Sequence, residues 1–438
     1  MLSKTEILAI LNDWNYWNRD FDPSIERPLY DDKIRNFMKH DEIVVIKGVR
    51  RCGKSTLMLN QMKRLHQNGI DKRAMLFINL EDPRFINHLN LELLEHIKEV
   101  YLEYVTPSIK PYVFLDEVQN IPNWEKWVNK EQALKTSHIS VTGSNSSLLS
   151  SEIGTALSGR YISVDVYPLS FNEYLLFKGM TITSTLEWID SRIAINREFN
   201  LFIKEGGFPK LLSYPQSEKK ELLASYKDSI LLKDIVARFA LKNYSKLEEI
   251  AAFLMANSGT LQSVTKLKNN FGISHDMASD YVEYLEKAYM IFELRKFDYS
   301  LKKQIANLKK YYTIDLGLSN ILRVAGLQTL GADMESIVFL ELKRRGFVPY
   351  YYKTANDLEI DFVVTKEGKI VELIQVANTV SDEKTLKREL APFSKTMDEL
   401  GLSDVICTLL CDESTEEIVS NGLKIGKTNI KEWLIHLR

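Results

Sequence analysis

A glycine-rich segment carries the residue types that bind phosphate groups. The residues Gly48-Val49-Arg50-Arg51-Cys52-Gly53-Lys54-Ser55 follow the pattern GxxxxGK[ST] of a P-loop, and Thr56 comes directly after them. In such a loop the backbone N–H groups surround phosphate oxygens, the lysine reaches the terminal phosphates and the hydroxyl binds Mg²⁺. The segment predicts a nucleotide site over residues 48–56, in which Lys54 acts on the terminal phosphate and Ser55 is a Mg²⁺ ligand.

Two adjacent acids supply the groups that hydrolysis needs beyond a phosphate site. Asp116 and Glu117 follow the apolar run Tyr112-Val113-Phe114-Leu115. Such a run predicts a buried strand, and ligands of α/β sheets bind at the carboxyl ends of the strands. We expect Asp116 to hold the Mg²⁺ shell and Glu117 to act as the general base for the attacking water.

Three further positions have both a chemical and a plain structural interpretation. Ser144 or Asn145, at the end of the next apolar run, would sense the terminal phosphate; an ordinary turn is the alternative. Arg160 would act as an arginine finger on its own site or on that of a neighbouring molecule, and a surface ion pair is the alternative. Cys52 would block the loop if oxidised, but a bystander role is favoured.

Short apolar runs alternate with helix-like stretches around these motifs. The helix-like stretches cover residues 90–105 and 123–135, and a further helical pattern follows the P-loop. This alternation predicts a doubly wound α/β domain with a parallel sheet over residues 1–175. The four apolar runs lie at 42–47, 75–80, 112–115 and 138–142.

The remaining sequence divides into three predicted domains. Residues 176–237 are mostly helical and predict a lid or connector. Residues 238–309 contain three helix-like stretches and then a strand-like run, an order typical of a winged helix-turn-helix. Residues 310–438 predict a compact α/β domain with a β-hairpin around residues 366–368.

Composition limits the classes of partner and compartment. The 438 residues include 57 Lys+Arg and 59 Asp+Glu, a formal charge of −2, so any nucleic-acid surface must be local. The three cysteines lack metal-binding spacing, which favours a reducing, cytoplasmic setting. Glu6 and Asp13 interrupt the start, and no run approaches the roughly 18 apolar residues of a membrane span, so neither a signal peptide nor a membrane partner is expected.

The winged-helix segment contains the candidate surface for DNA. Winged helices also dock proteins, so a DNA partner and a protein partner both stay open. The basic residues that define this surface are Lys266, Lys268, Arg295, Lys296, Lys302, Lys303, Lys309 and Lys310.

Several motifs follow one another in a distinctive order. They are RPLY at 27–30, GVRRCGKST, FLDEVQNIPNW at 114–124, TGSNSSLL, LSGR, YPLSFNEY at 167–174, EGGFP at 205–209, ESIVFLELKRRG and EIDFVV. With them the chain resembles, over most of its length, a family of prokaryotic ATPases in which an AAA-type domain precedes a domain of unknown function, DUF4143. This resemblance implies an AAA-type P-loop fold, ATP binding and hydrolysis with Mg²⁺, and contact of Gln119 with phosphate or water. From its chemistry alone, Gln119 would be interpreted as a surface residue.

The resemblance also implies a degenerate restriction-endonuclease-like fold for the C-terminal domain. Active members of that fold use an aspartate on one strand, an acid on the next, and a lysine two residues after that acid. Asp361 matches the aspartate, and Glu335 or Glu341 would supply a helix carboxylate, but Gln375 and Ala377 occupy the other two positions. We therefore expect no cleavage of phosphodiesters.

Asp361 also has a plain structural interpretation. A carboxylate at a strand end can cap a turn or pair with an arginine, and Arg344 and Arg345 are the candidate partners. This interpretation is favoured over a metal site.

Two interpretations of the whole protein stay open. In the first, ATP hydrolysis rearranges domains that hold a DNA or protein partner, and the protein assembles as a homo-oligomer if Arg160 acts on a neighbour. In the second, ATP is a slowly hydrolysed switch ligand on a regulatory binding protein. The pair Asp116-Glu117 favours turnover.

Overall fold

The computed structural model describes residues 2–22, 24–106, 110–144, 157, 159–323 and 330–436. The chain divides into two compact units, Met1–Val166 and Tyr167–Arg438. The predicted division into four domains, with boundaries at 175, 237 and 309, stays a prediction. In the described parts of the chain, no helix has both the length and the apolar character needed to cross a membrane.

Five parallel strands form the sheet of the first unit: β1 (Ile43–Lys47), β2 (Met75–Asn79), β3 (Tyr112–Asp116), β4 (His138–Gly143) and β5 (Tyr161–Asp165). Their spatial order is β2-β3-β4-β1-β5, and every neighbouring pair is parallel. The four predicted apolar runs are confirmed as β1 to β4. The sequence does not predict β5, because four of its five residues are only half-buried and lack the run of apolar side chains that marks a central strand.

Within the described residues of this unit, five α-helices accompany the sheet: α1 (Lys4–Trp14), α2 (Pro28–Phe37), α3 (Lys54–Gln67), α4 (Leu91–Tyr104) and α5 (Trp124–Leu134). The predicted helices at 90–105 and 123–135 are confirmed as α4 and α5. Apolar residues of α1, α4 and α5 form one buried cluster with the strands. The carboxyl ends of β1, β3 and β4 consequently meet at one edge of a rigid, buried sheet.

Side chains close the outer edge of β2. Asn15 donates a hydrogen bond to the Phe77 carbonyl at 2.9 Å and accepts one from the Phe77 N–H at 2.7 Å. The Trp17 indole N–H donates to the Met75 carbonyl at 2.8 Å. These side chains satisfy backbone groups that an edge strand would otherwise expose.

The second unit begins with helices and a small antiparallel sheet. The sheet, with spatial order β6-β8-β7, and its helices match the predicted three helical stretches and strand, while the winged-helix assignment itself stays a prediction. The elements are α6 (Phe171–Phe177), α7 (Thr185–Glu205), α8 (Gln216–Ser229), α9 (Ser245–Ala256), β6 (Leu261–Gln262), α10 (Val264–Phe271), α11 (His275–Lys287), β7 (Ile291–Arg295), α12 (Leu301–Ala306) and β8 (Lys309–Thr313).

A six-stranded sheet dominates the rest of the second unit. Its elements are α13 (Leu316–Asn320), α14 (Leu330–Arg344), β9 (Val348–Lys353), β10 (Glu359–Lys366), β11 (Lys369–Val376), α15 (Glu383–Leu400), β12 (Ile406–Cys411), β13 (Glu416–Ser420), β14 (Leu423–Asn429) and α16 (Ile430–Leu434). The strand order is β13-β14-β12-β11-β10-β9. The predicted hairpin is confirmed as β10 and β11, which pair antiparallel.

A buried carboxyl joins two motif segments within the second unit. Asp315 accepts a hydrogen bond from the Gly207 N–H at 2.6 Å, and a Cβ atom at Gly317 would lie 2.2 Å from the Glu205 carbonyl oxygen. Only glycine allows this close approach of the two backbones. The segment EGGFP (205–209) and the segment at residues 314–318 are therefore held together by backbone contacts that depend on their glycines.

Candidate functional site

The P-loop is a tight turn whose backbone conformation favours glycine. The loop joins β1 to α3, and Gly48, Arg51 and Gly53 have φ values of 155°, 72° and 101°. A Cβ atom at Gly48 would lie 2.1 Å from the Val166 carbonyl oxygen. The Arg27 guanidinium supports the loop by donating to the Cys52 carbonyl at 2.9 Å. Glycine at position 48 therefore reflects close packing of backbone on backbone.

Lys54 lies at the centre of this loop and is 4% exposed. Its ammonium donates to the carbonyls of Gly48 at 3.1 Å and Val49 at 3.2 Å. The same nitrogen lies 3.4 Å from Glu117 Oε1. The predicted phosphate-binding lysine and the predicted general base are therefore direct neighbours.

Asp116 connects three elements at the carboxyl edge of the sheet. Its Oδ1 accepts a hydrogen bond from the Ser55 hydroxyl at 3.0 Å and another from the Thr142 hydroxyl at 2.6 Å. The Thr142 oxygen in turn accepts from the Glu117 N–H at 2.8 Å. The two predicted Mg²⁺ ligands, Ser55 and Asp116, thus lie in contact.

Glu117 is held by a sharp turn and by polar side chains. Its φ of 56° is left-handed, which places the next residues, Val118–Asn120, in a 3₁₀ turn that folds back over it. Gln119 donates through Nε2 to Glu117 Oε2, and the same nitrogen lies 3.2 Å from Ser144 Oγ. The Ser144 hydroxyl also helps to lower the pKa of the Glu117 carboxyl.

Burial and nearby charge shift the pKa values of the two acids in opposite directions. Burial, reinforced by the Glu117 carboxylate, raises the pKa of Asp116 to about 6. Burial also opposes ionisation of Glu117, but the Lys54 ammonium and the Arg50 guanidinium outweigh it and hold the pKa of Glu117 below its ordinary value. Glu117 is therefore the more stable of the two as a carboxylate.

The remaining P-loop side chains have distinct surroundings. Arg50 pairs with Glu81 at 2.6 Å, and Thr56 is exposed on the first turn of α3. Cys52 is fully buried, and burial raises the pKa of its thiol. A buried, protonated thiol reacts slowly with oxidants, so the structure favours the bystander interpretation of Cys52.

Arg160 lies at the opposite edge of the sheet from the P-loop. It directly precedes β5, whose first residue, Tyr161, pairs with Ile43 at the start of β1. The P-loop follows the end of β1, about 16 Å away along a five-residue strand. An arginine side chain does not span that distance, so action of Arg160 on its own chain's P-loop is excluded and action on a neighbouring molecule stays a prediction.

Asn145 lies outside the described residues, and Ser144 is the part of that predicted pair that the structure places beside Glu117. Two residues that the sequence interpretation leaves out also belong to this arrangement. Thr142 connects both acids, and Arg27 supports the loop backbone. Thr142 shares the carboxyl end of a predicted strand with Ser144, a signal that could have identified it from the sequence.

The C-terminal domain contains a separate charged cluster around Lys310. Its ammonium lies 2.8 Å from Glu335 Oε1, 2.7 Å from Glu359 Oε1 and 3.9 Å from Asp361 Oδ1. Burial opposes the charge of Lys310, but the three carboxylates outweigh it and raise its pKa. We call Glu335, Glu359 and Asp361 with Lys310 the Lys310 cluster.

The Lys310 cluster replaces a metal-binding arrangement with an internal cation. Asp361 Oδ2 accepts from the Val376 N–H at 2.9 Å, and the Gln375 amide accepts from the Asp361 N–H at 3.3 Å and donates to Glu389 at 3.0 Å. Within the described residues no group of three or more His, Cys, Asp or Glu side chains is arranged to hold a metal ion. The carboxylates thus pair with lysine.

The expected pairing of Asp361 with Arg344 or Arg345 is wrong. Both arginines pair with Glu341, at 2.5 Å and 2.9 Å, and of the two candidate helix acids it is Glu335 that shares Lys310 with Asp361. The sequence interpretation assigns Lys310 to the DNA surface and not to this cluster, because Lys310 lies on β8, about fifty residues before Asp361.

The candidate DNA surface is smaller than the sequence indicates. Arg295 and Lys309 both pair with Glu293, and Lys310 is buried in its cluster. Lys303 lies 3.8 Å from Asp298 but is 71% exposed. The exposed or half-exposed lysines that remain are Lys266, Lys268, Lys296, Lys302 and Lys303.

Three family models match the chain in succession. The model of an AAA domain matches residues 40–175, and the model of a domain of unknown function, DUF8612, matches residues 196–330. The model of a second domain of unknown function, DUF4143, matches residues 330–421. The AAA match contains the P-loop, both acids and the end of β4.

Two relatives are similar over most of their length. An uncharacterized protein of Methanocaldococcus jannaschii is 36% identical over 393 residues, covering 86% of this chain and 84% of its own. An uncharacterized protein of Haemophilus influenzae is 32% identical over 363 residues, covering 81% and 86%. Each of these matches extends over more than four-fifths of both chains.

Two solved structures are among the similar ones. The Orc1 protein of Aeropyrum pernix, in complex with DNA, covers 74% of this chain and 97% of its own, with 10% identity and a TM-score of 0.32. AMPPCP-bound DnaA from Aquifex aeolicus covers 59% and 86%, with 14% identity and a TM-score of 0.27.

We predict that Asp116→Asn stabilises the protein without nucleotide or divalent cations. The folded-state pKa of about 6 lies above the ordinary 3.8, so the stability that protonated Asp116 contributes is present at low pH and is lost as the pH rises through 6. Asparagine removes the buried charge, and we expect about 3 kcal/mol more stability at pH 7.5, a difference that disappears as the pH falls below 4. Urea unfolding at several pH values measures this.

Glu117→Gln is the matched comparison and should shift stability the other way. The pKa of Glu117 is lowered, so its ionised form contributes stability above its ordinary pKa of 4.5 that is lost as the pH falls. The variant should be less stable than the wild type at pH 7.5. Shifts of the same sign in both variants would contradict the assigned charges.

We also predict that the C-terminal domain does not cut nucleic acid. Lys310 occupies the space between the carboxylates, and Gln375 and Ala377 supply neither the second acid nor the neighbouring lysine. Purified protein should leave single- and double-stranded DNA intact with Mg²⁺ or Mn²⁺, with and without ATP. Cleavage that disappears in Asp361→Ala would show an active site that these contacts do not explain.

Proposed function

Because the chain belongs to the prokaryotic family of AAA-domain ATPases with a C-terminal DUF4143 domain, we propose that it binds ATP with Mg²⁺ at the P-loop and hydrolyses it. One observation carries this proposal: Glu117 Oε1 lies 3.4 Å from the P-loop lysine, at the edge where Asp116 contacts Ser55. A general base, a phosphate-binding cation and a pair of metal ligands are thus within contact of one another.

The ligand chemistry of this edge fits Mg²⁺. Mg²⁺ prefers oxygen ligands and is bound by one or two protein groups together with substrate phosphates and water. Ser55 and Asp116 are such groups, since one supplies a hydroxyl oxygen and the other a carboxylate oxygen and the two are already in contact. A bound Mg²⁺ would neutralise charge on the phosphates.

Displacement of Lys54 from Glu117 would make the Glu117 carboxylate a stronger base. When the ammonium turns from the loop carbonyls to the terminal phosphate, Glu117 loses the nearest positive charge that lowers its pKa. Its carboxylate then accepts a proton from the attacking water more readily, while the water oxygen bonds to the terminal phosphorus and the bond to the ADP oxygen breaks. Nucleotide binding and activation of the base are coupled in this way.

The slow-switch alternative has its own support. The Lys54 ammonium already has the Gly48 and Val49 carbonyls and Glu117 as partners, and these contacts must break before it reaches a phosphate. Such a resting state would slow turnover. Steady-state phosphate release with and without DNA separates the two cases, because an ATP-driven machine is accelerated by its partner and a switch is not.

The second unit is the proposed partner-binding part. The segment around α12 exposes Lys302 and Lys303 beside the apolar residues Tyr299 and Leu301, which are 73% and 62% exposed. Positive charge next to exposed apolar groups suits a nucleic acid or an acidic protein surface. We further propose that a homo-oligomer would allow Arg160 to act on a neighbour's nucleotide.

We predict that Glu117→Gln separates nucleotide binding from turnover. Glutamine keeps the size and hydrogen-bonding capacity of the side chain but cannot accept the proton, so turnover should fall by about 10²-fold or more with ATP still bound. Phosphate release and binding of a fluorescent nucleotide measure the two effects.

Lys54→Ala is the comparison for this variant and should lose both binding and turnover. Unchanged hydrolysis in folded Lys54→Ala would rule out the P-loop as the site of turnover. A parallel loss of binding and turnover in Glu117→Gln would make Glu117 a structural residue.

We predict that DNA affinity, if the wild type shows it at low salt, depends on the α12 lysines. Lys302→Glu with Lys303→Glu should weaken binding and reduce its salt dependence, since fewer counterions are released. Lys384→Glu with Lys387→Glu on α15 makes the same change of charge elsewhere and should leave the salt slope unchanged. An unaltered slope in the α12 variant would place the surface elsewhere, and no binding by the wild type would favour a protein partner.

A further inference from the structure

The two carboxylate oxygens of Glu117 have different partners. Gln119 Nε2 donates to Glu117 Oε2, while Glu117 Oε1 is directed to Lys54 at 3.4 Å. We propose that Gln119 is a positioning residue, which fixes Oε2 so that Oε1 faces the nucleotide, and does not itself bind phosphate. This inference rests on the proposed ATPase function.

The direction of the amide supports this role. A carboxylate only accepts hydrogen bonds, so the N–H₂ group of Gln119 must face Glu117 and its carbonyl must point away. Among the described residues, Gln119 Oε1 is then a buried acceptor with no hydrogen-bond partner. If the amide were turned over, its carbonyl oxygen would face the Glu117 carboxylate and be repelled by it. The N–H₂ group therefore stays on Glu117, although the carbonyl oxygen of Gln119 then has no hydrogen-bond partner.

The local backbone brings Gln119 back over Glu117. The left-handed φ of Glu117 starts the 3₁₀ turn Val118–Asn120, and this turn returns the side chain at position 119 to the carboxylate two residues earlier. The other polar side chain of the turn, Asn120, donates instead to the Leu80 carbonyl at 3.2 Å. One turn thus contains a residue that contacts the base and a residue that does not.

Ser144 extends the contact to the next strand. It directly follows β4, and its hydroxyl oxygen lies 3.2 Å from Gln119 Nε2. Gln119 therefore bridges the base and the predicted phosphate-sensing position. Fixing a reacting group from the side that does not react is a common means of keeping the reacting atom in line.

The test is Gln119→Met in full-length protein, which keeps the length of the side chain and removes its N–H donors. We expect kcat to fall about 10- to 100-fold, with affinity for a fluorescent ADP unchanged within twofold. Asn120→Ala, in the same turn, is the matched control and should keep wild-type kcat.

A double-mutant cycle separates positioning from a general structural effect. If Gln119 acts through Glu117, adding Gln119→Met to Glu117→Gln should cause no further loss in single-turnover hydrolysis, because the base is already absent. Multiplicative losses in the double variant would overturn the proposal, as would wild-type kcat in Gln119→Met. Loss of ADP affinity in Gln119→Met would return Gln119 to the nucleotide contact that the family resemblance implies.

The wild type measured in the same series keeps the two hypotheses apart. If it does not hydrolyse ATP, the proposed function fails. If it does and Gln119→Met is as active, only the role of Gln119 fails.

Discussion

One buried carboxylate connects the parts of the nucleotide site. Asp116 Oδ1 accepts hydrogen bonds from Ser55 at the start of α3 and from Thr142 at the end of β4, while Asp116 itself ends β3. Three elements that are distant in the sequence are thus held at one edge of the sheet. The P-loop and the base keep their spacing because Ser55 contacts this group and Glu117 directly follows it, and Ser144 lies two residues beyond Thr142 on the same strand end.

Buried carboxylates have different partners in the two units. At the edge of the parallel sheet the Ser55 and Thr142 hydroxyls donate to Asp116, and the nearby Lys54 ammonium offsets part of the effect of burial on its pKa. In the Lys310 cluster three carboxylates surround an ammonium from the chain itself. In the first arrangement burial raises the pKa of Asp116 to about 6, whereas in the second the carboxylates are neutralised by an internal ammonium. Acidic residues alone therefore do not distinguish a metal site from a structural one.

The sequence predicts local features of the site better than its long-range contacts. The P-loop, the pair Asp116-Glu117 and the hairpin β10–β11 follow from short patterns that are complete within a few residues. The support of the loop by Arg27, the place of Lys310 and the distance of Arg160 depend on strand order and pairing, which no local pattern contains. The strand β5 escapes prediction because its residues are half-buried and alternate weakly.

The closed edge of β2 also bears on how these molecules behave in a crowded solution. An open edge strand is a template on which a strand of another molecule can add, and this is a route to aggregation. Here the Asn15 side chain hydrogen-bonds both the N–H and the carbonyl of Phe77, and the Trp17 indole donates to the Met75 carbonyl. A foreign strand would first have to displace these side chains, so the segment after α1 serves as a built-in barrier to intermolecular sheet growth.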